Sequence, residues 1–395
     1  MIRHLFTLIW NRKRANALLI TEVFAAFIVL FAVGSLGVYM GRNYQVPLGF
    51  AYEHVWRIDL NAGTQPRSQQ LGTLQQVLRR LQAMPGVEKV VRSGSNTPFA
   101  FSTHNGGLDA GDSAQARHCQ PVDFYNATSE TRAVLGLHLT AGRWFDSRDD
   151  AATRPPVIIT ENARAVLFPQ ESPLGKIVRN GKTEFQVVGV SSIYRAGGQL
   201  SEPRAGMFMY ANPQDTTEAL ANLLVRVRPG SGATLEKQIN TEIHATDHSW
   251  TSSILTLADQ RRTQLKLFLT LPAILGAVCL FLIINVALGL FGVLWQTVSQ
   301  RRAEIGVRRA MGATAGAITG QIVGEILVLT TFGLLLGLLV AAQFPLLGVF
   351  NVQTGVYLTA MLLAAGGLYL LATACALYPA RLAAGIQPAV ALREE

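Results

Sequence analysis

Charged residues are scarce in long parts of this chain of 395 residues, in which Asp, Glu, Lys and Arg together make up 15% of the composition. None of them occurs between Leu267 and Gln300, and between Arg309 and Arg381 the single charged residue is Glu325. A membrane-spanning helix needs about 20 consecutive, mostly apolar residues. The sequence therefore predicts an α-helical membrane protein with four transmembrane helices, at residues 17–40, 267–297, 317–344 and 357–379.

Cysteine is rare, and the common catalytic motifs are absent. Of the three cysteines, Cys279 and Cys375 fall within predicted spans, so a disulfide framework in the soluble part is excluded. The sequence contains no P-loop, no H-E-x-x-H motif and no recognisable nucleophile motif. His244 and His248 are spaced to share a helical face as zinc ligands, but we interpret them as ordinary surface histidines. We predict no catalytic residue, no metal site and no cofactor bound by this chain.

The net charge of +9 comes largely from basic residues beside the predicted spans. Basic patches with interleaved aromatic residues are missing, which argues against nucleic acid as a partner. The flanking basic residues are Arg3, Arg12, Lys13 and Arg14 before the first span, Arg301, Arg302, Arg308 and Arg309 between the second and third, and Arg381 after the fourth. By the positive-inside rule these flanks are cytosolic.

This topology assigns residues 1–16, 298–316 and 380–395 to the cytosol, with both termini inside. Residues 345–356 become an outer loop, and residues 41–266 become an extracytoplasmic domain. A cleaved signal peptide is the alternative for the N-terminus. The uncharged run 23–41 is longer than the signal-peptide core of about 7–15 residues, which favours a retained anchor.

The extracytoplasmic segment has an α+β pattern. Leu71, Leu74, Leu78 and Leu81 recur at helical spacing before Pro85 and Gly86, which predicts a helix over 71–84 and a strand over 87–91. Further strands are predicted at 156–160, 185–190, 206–210 and 223–228, with a helix over 162–168. Two half-similar units, around 71–91 and around 223–248, give a weak repeat signal.

An arginine-rich run, residues 300–314, separates the second and third apolar stretches. Glu304 lies three residues after Arg301 and four before Arg308, so a helix would pair opposite charges. Ile305, Arg308, Arg309 and Gly312 would share a second face suited to a protein groove. The alternative is a solvated basic loop that fixes only the topology.

Two carboxylates and two glycines within the apolar stretches are further candidates. Glu22 and Glu325 are costly in or near a membrane, and we favour a structural or interhelical role over a proton relay. Gly333 and Gly337 form a G-x-x-x-G pair that permits close helix packing, either inside the bundle or between subunits.

Several motifs follow one another in a familiar order. They are Val122-Asp-Phe-Tyr125, Leu135-Gly-Leu-His-Leu139, Ala141-Gly-Arg-Trp-Phe145, Pro173-Leu-Gly-Lys176, Phe185-Gln-Val-Val-Gly-Val190, the run 301–314 and the tail from Tyr378 to Arg393. With them the chain resembles the MacB/FtsX-type permeases of ABC transporters from its first span to its C-terminus. The resemblance implies a MacB-like periplasmic domain with a porter-like α+β part and an inserted lobe.

The resemblance also implies partners and a docking site. In similar permeases the segment 298–316 is the coupling helix that contacts the ATPase, which makes Arg301, Arg302, Glu304, Ile305, Gly306, Arg308, Arg309 and Gly312 docking candidates. The implied partners are a separate ABC ATPase subunit that binds ATP and Mg, a second permease copy or paralogue, and, for efflux, a periplasmic adaptor with an outer-membrane channel. The implied location is the bacterial inner membrane.

Three functions remain open from the sequence. The leading one is mechanotransmission, in which ATP hydrolysis by the partner drives efflux of a peptide, drug or other amphiphile. The second is ATP-driven regulation of a cell-wall hydrolase, or extraction of lipoproteins. The third is a membrane-anchored binding or sensing subunit without an ATPase.

Overall fold

The structure is a computed structural model that describes residues 13–102, 104–111, 116–212 and 222–385. The chain divides into two compact units. One is the core domain, Asn43–Phe268, and the other is the helical unit, formed by the chain before and after it. The predicted segment 1–16 and tail 380–395 lie largely outside the described residues.

The chain enters the core domain through the end of helix α1 (Lys13–Gln45). In chain order the core domain then contains β1 (Val55–Asn61), α2 (Arg67–Gln82), β2 (Val87–Ser93), β3 (Asn105–Ala110), β4 (Arg117–Ala127), α3 (Thr131–Leu135), β5 (Leu139–Gly142), β6 (Pro156–Thr160), α4 (Glu161–Leu167), β7 (Ile177–Asn180), β8 (Thr183–Ser191), β9 (Ala205–Tyr210), β10 (Asn222–Val227), α5 (Ala233–Thr246) and β11 (Thr251–Thr256).

The porter-like part is a four-stranded antiparallel sheet in the order β11-β1-β10-β2, built from two β-α-β units. Helices α2 and α5 bury Leu74, Leu81 and Ile239 with sheet residues such as Ile58 and Val225. These units, β1-α2-β2 and β10-α5-β11, correspond to the two half-similar segments of the sequence. The arrangement is the split β-α-β topology of ferredoxin-like domains.

The inserted lobe is the chain between β2 and β10. The seven strands that the structure describes there follow the order β5-β8-β6-β9-β4-β3-β7. Because β7 also pairs with β8, six of these strands close into a ring. The core of the ring contains apolar side chains such as Leu108, Val122, Ile159 and Met207, all fully buried. The fold class therefore agrees with the prediction of an α+β domain with an inserted lobe.

After the core domain the chain forms α6 (Leu257–Gln300), α7 (Arg302–Ala310), α8 (Ala315–Ala341), α9 (Gln343–Leu346) and α10 (Thr354–Ala384). In the described part of the chain, four helical segments are long and apolar enough to cross a membrane: Ala17–Gln45, Leu257–Gln300, Ala315–Leu346 and Thr354–Ala384. The helices extend beyond the predicted spans, above all α6, which begins ten residues earlier. The predicted outer loop 345–356 is partly helical, with the end of α9 and a turn of 3-10 helix at Val349–Asn351.

The interior of the helical unit is apolar and draws on all four long helices. Phe27 and Phe31 of α1 stack there, and Phe31 also meets the edge of Phe344 and the ring of Tyr357. The face that α10 turns toward this interior carries small residues at Ala360, Ala364, Ala372 and Ala376, all buried. Small side chains allow helix axes to approach closely, which is how helices pack within a membrane.

Candidate functional site

The arginine-rich run folds into the short helix α7, with defined turns on both sides. The backbone N–H of Arg301 donates to Val298 O at 3.2 Å, and the chain then turns into α7. Gly312 ends the helix with φ of 96°, a left-handed conformation that glycine adopts without steric cost. Thr314 then caps α8, because its hydroxyl accepts a hydrogen bond from the N–H of Ala317. The run therefore folds as a helix rather than as a solvated loop.

A network of charged and polar side chains ties α7 to α8. Arg301 donates through Nη1 to both carboxylate oxygens of Glu325, at 3.2 and 3.0 Å, and both side chains are 17% exposed. Gln321 donates to the same carboxylate at 3.1 Å. Arg308 donates to Gln321 Oε1 at 2.7 Å and to Glu304 Oε1 at 2.5 Å. The predicted pairing of Glu304 extends to Arg308, whereas Arg301 pairs with Glu325 instead.

One face of α7 is turned into the helical unit. Ile305 is 7% exposed and packs with Ile318 and Ala383, and Gly306 is buried beside it. Contact of these two residues with an ATPase subunit stays a prediction, and in this chain Ile305 packs on α8 and α10. This packing was not anticipated from the sequence, because Ala383 of α10 lies far from Ile305 along the chain.

The opposite face of α7 is exposed and includes apolar residues that the sequence reasoning missed. Ala303, Glu304, Val307, Ala310 and Met311 recur at the i, i+3 and i+4 spacing of one helical face, and all are exposed. Met311 is 76% exposed and Val307 43%. The helical spacing of these apolar residues was visible in the sequence, but the sequence analysis emphasised the adjacent arginines instead. We call these five residues the outer face of α7.

The remaining docking candidates have mixed surroundings. Arg302 is exposed, and Arg309 is half-buried with its Nη1 atom 3.5 Å from Ala313 O. Gly312 is exposed, and its left-handed backbone gives it a role in the turn into α8.

The predicted helix-packing glycines lie against α1 of the same chain. A Cβ atom added at Gly333 would be 2.8 Å from Val23 Cγ1, and one added at Gly337 would be 2.9 Å from Phe27 Cγ. Only glycine permits this approach. Of the two roles left open by the sequence, packing inside the bundle is the one observed in this chain.

Glu22 faces a glycine of α6. A Cβ atom added at Gly289 would be 2.5 Å from Glu22 Oε1. Among the residues that the structure describes, no hydrogen-bond donor reaches this carboxylate, in contrast to Glu325. Glu22 is thus packed between helices without an ion pair in the described part of the chain.

The histidine pair lies on the surface of the core domain. The rings of His244 and His248 are 5.1 Å apart, and His244 Nδ1 is 3.5 Å from Trp250 O. No group of three or more metal-binding side chains is found in the described ranges.

A buried arginine in the core domain was not singled out by the sequence. Arg195 is 2% exposed and lies in the loop 193–201, which we call the junction loop. Its guanidinium donates to Asn43 O at 2.7 Å and Val46 O at 3.0 Å, and to Gln199 O and Ser201 O at 2.8 and 2.5 Å. It therefore holds the last turn of α1 and the residues directly after it against the inserted lobe.

The same loop holds the first turns of α6. Arg261 donates to Gln199 Oε1 at 3.1 and 2.6 Å and also lies 4.8 Å from the centre of the Tyr52 ring. Both chain segments that connect the core domain to membrane helices are thus bound to the junction loop. A single arginine in a loop has no sequence pattern by which this role could be found.

Two family models match the chain. The MacB-like periplasmic core domain matches residues 22–242, and the FtsX-like permease C-terminal model matches residues 276–388. Together with the four apolar helices, these matches define a multi-pass membrane protein of the permease class. The chain belongs to the MacB/FtsX-type permeases of ABC transporters.

Curated relatives include MacB proteins and another ABC transporter permease. The chain is 31% identical over 267 residues to "Macrolide export ATP-binding/permease protein MacB 1/2" of Paracoccus denitrificans, an alignment that covers 65% of this chain and 38% of the relative. It is 26% identical over 279 residues to "Uncharacterized ABC transporter permease YknZ" of Bacillus subtilis, covering 66% and 67%. The chain spans less than half the length of the MacB relative.

Solved structures of related domains show weaker similarity. The periplasmic region of MacB from Actinobacillus actinomycetemcomitans matches with a TM-score of 0.39 and 16% identity, over 54% of this chain and 92% of that one. The extracellular domain of the transporter YknZ from Gram-positive bacteria matches with a TM-score of 0.33 and 20% identity, over 50% and 99%.

Proposed function

We propose that this chain is the permease subunit of a mechanotransmission-type ABC transporter. A separate ATPase subunit binds ATP and Mg and docks on the outer face of α7. The motion of that subunit passes through the membrane helices to the core domain, which drives efflux of a peptide, drug or other amphiphile from the outer side of the bacterial inner membrane. Both termini and α7 are cytosolic in this proposal.

The observation that carries the proposal is the combination of an exposed face on α7 with a firm attachment behind it. An apolar stripe bordered by Glu304 and Arg302 offers the mixed chemistry of a protein interface core and rim. The Arg301–Glu325 pair and the Arg308–Gln321 bond join α7 to α8. A push on α7 would therefore be transmitted to a membrane helix rather than absorbed by a loop.

The family supplies the rest of the assembly. The names of the MacB relatives combine "ATP-binding" and "permease", which supports an ATPase as the partner that acts on this permease. A second permease copy or a paralogue would complete the dimer. In the apolar part of α6 only 6% of the residues are buried within the single chain, whereas 28–33% are buried in the other three spans. Most of the apolar surface of α6 is therefore available for lipid or for that second copy.

The docking part of the proposal is tested by co-purification. The chain is expressed with its proposed ATPase subunit, and the wild type is compared with Met311→Asp, which places a charge at the most exposed apolar residue of the outer face. The matched control is Leu347→Asp, which alters an equally exposed apolar residue, 75% exposed, in the predicted outer loop.

We expect Met311→Asp to lose the ATPase subunit and Leu347→Asp to retain it. Retention of the subunit by both variants would contradict docking on α7. Loss of the subunit by Leu347→Asp alone would contradict the proposed topology.

A further inference from the structure

Strand β2 forms one edge of the four-stranded sheet, and a side chain occupies the position that a neighbouring strand would take. The backbone N–H of Val90 donates to Gln82 Oε1 at 3.1 Å, and Gln82 Nε2 donates to Glu88 O at 3.0 Å. These two backbone groups therefore face away from β10, the paired neighbour of β2. The primary amide of Gln82 offers them one donor and one acceptor, as a peptide group of another strand would.

A groove runs along this edge. Its volume is about 600 Å³, within the range of ligand sites of roughly 300–1,000 Å³. Helix α2 forms one wall with Leu71 and Leu78, and the inserted lobe contributes Thr128 and Glu130. Both leucines belong to the apolar stripe from which the helix was predicted, and they are half-buried because the sheet ends at β2, where no strand among the described residues covers them.

Among the described lining residues of the groove, positive charges outnumber negative ones. Arg79, Lys89 and Arg92 line it, against the single carboxylate of Glu130 among the described lining residues. Arg79 and Lys89 are exposed, and no ion pair engages either of them within the described ranges. A ligand with acidic side chains would therefore be favoured over a basic one.

We propose that the edge of β2 binds an extended, acidic peptide as an additional strand of the sheet. Strand addition draws affinity from main-chain hydrogen bonds, and alternate side chains of the peptide supply specificity. The incoming chain displaces the Gln82 amide, pairs with the outward groups of Glu88 and Val90, and packs its apolar side chains on Leu71 and Leu78. This inference rests on the proposed efflux function and deepens it by naming the substrate class.

The alternative explanation is that Gln82 and Lys89 protect the open edge of β2 against pairing with other strands. Proteins commonly blunt edge strands with charged side chains, and lysine is frequent among them. The two explanations differ when Gln82 is removed, because a binding edge then gains affinity for peptide, whereas a protected edge gains only a tendency to pair with other copies of itself.

The test measures peptide binding by the full chain in nanodiscs, without ATP and without the ATPase subunit. The probe is a fluorescein-labelled peptide of nine residues that alternates valine and glutamate, followed by fluorescence anisotropy. One control peptide has proline at alternate positions, which removes the N–H groups that pair with β2. A second control peptide replaces glutamate with lysine.

Three variants of the chain localise the binding. Val90→Pro removes an N–H that faces away from β10, a substitution that an edge strand tolerates, and we expect about tenfold weaker binding. Lys89→Glu leaves the backbone intact and should weaken binding of the acidic peptide, whereas Lys237→Glu, an exposed charge change on α5, should not. Gln82→Ala should strengthen binding.

Several results would overturn the inference. They are equal binding of the acidic and proline-containing peptides, no effect of Val90→Pro and Lys89→Glu, or no binding by either the wild type or Gln82→Ala. Self-association of Gln82→Ala without peptide binding would assign the edge to protection against a second copy. Because the assay contains no ATPase subunit, its failure leaves docking on α7 untouched, and failure of docking leaves this result interpretable.

Discussion

Replacing Gly337 with alanine should destabilise the helical unit, because the added Cβ atom would overlap the ring of Phe27 in α1. The added Cβ would lie 2.9 Å from Phe27 Cγ, and Phe27 is fully buried and stacked on Phe31, so its ring cannot move aside freely. Overpacking of a well-packed interior costs about 1–3 kcal/mol. Alanine in place of a helical glycine contributes up to about 1 kcal/mol in the opposite direction.

The matched control is Gly324→Ala in the same helix. A Cβ atom added at Gly324 meets nothing within 4 Å, so this variant gains the helix-forming contribution without the clash. The difference between the two variants therefore isolates overpacking, and Gly337→Ala should be less stable than Gly324→Ala by about 1–3 kcal/mol. Unfolding in mixed micelles by a rising fraction of SDS, followed by circular dichroism, measures this difference.

Equal unfolding midpoints for the two variants would refute the reasoning. That result would mean that α8 does not pack on α1 at this point, and it would return Gly333 and Gly337 to the second role that the sequence left open, at an interface between subunits.

Two further predictions concern the core domain. Arg195→Met leaves the carbonyl groups of Asn43 and Ser201 without a charged donor, so we expect the free energy of unfolding to fall by at least about 3 kcal/mol. Denaturant unfolding measures this loss, and Arg195→Lys should recover part of it. Unchanged stability in Arg195→Met would contradict the anchoring role. Burial would raise the pKa of Asp149, but hydrogen bonds from Arg143 and from the backbone outweigh it and hold the pKa below its ordinary value. The stabilisation is therefore complete above the ordinary carboxyl pKa of 3.8 and is lost as the pH falls below that value through the lower folded-state pKa. Asp149→Asn should flatten the acid side of the plot of Tm against pH, and an unchanged acid side would contradict this prediction.

The elements that follow from local patterns were predictable. The four apolar stretches, the helix at α2 and the strand at β6 are visible because length, spacing and residue type decide them within a short window. The order of the strands was not predictable, since pairs such as β4 with β9 join segments about 80 residues apart. Leu71 and Leu78 illustrate the limit, because helical spacing identifies an apolar stripe without showing where the sheet beneath it ends.

The candidate site was predictable in its location and only partly in its orientation. The charges around 301–309 indicated a helix, and Glu304 does pair with Arg308. Which face points outward depends on Ile318 and Ala383, which pack on Ile305 from other helices. Glu325 was recognised as costly, but its partner Arg301 could be identified only once α7 and α8 were placed side by side.

The central claim is that ATP acting on a separate subunit moves the core domain through the membrane helices. The most direct measurement is hydrogen–deuterium exchange of the reconstituted complex, with and without ATP, in the wild type and in Met311→Asp. The account predicts an ATP-dependent change in exchange at the amides that join the segment after α1 to the junction loop, such as Arg195 N–H, which donates to Leu48 O at 2.9 Å. The change should disappear in Met311→Asp. Unaltered exchange in the core domain, while the ATPase subunit remains bound and hydrolyses ATP, would contradict the account.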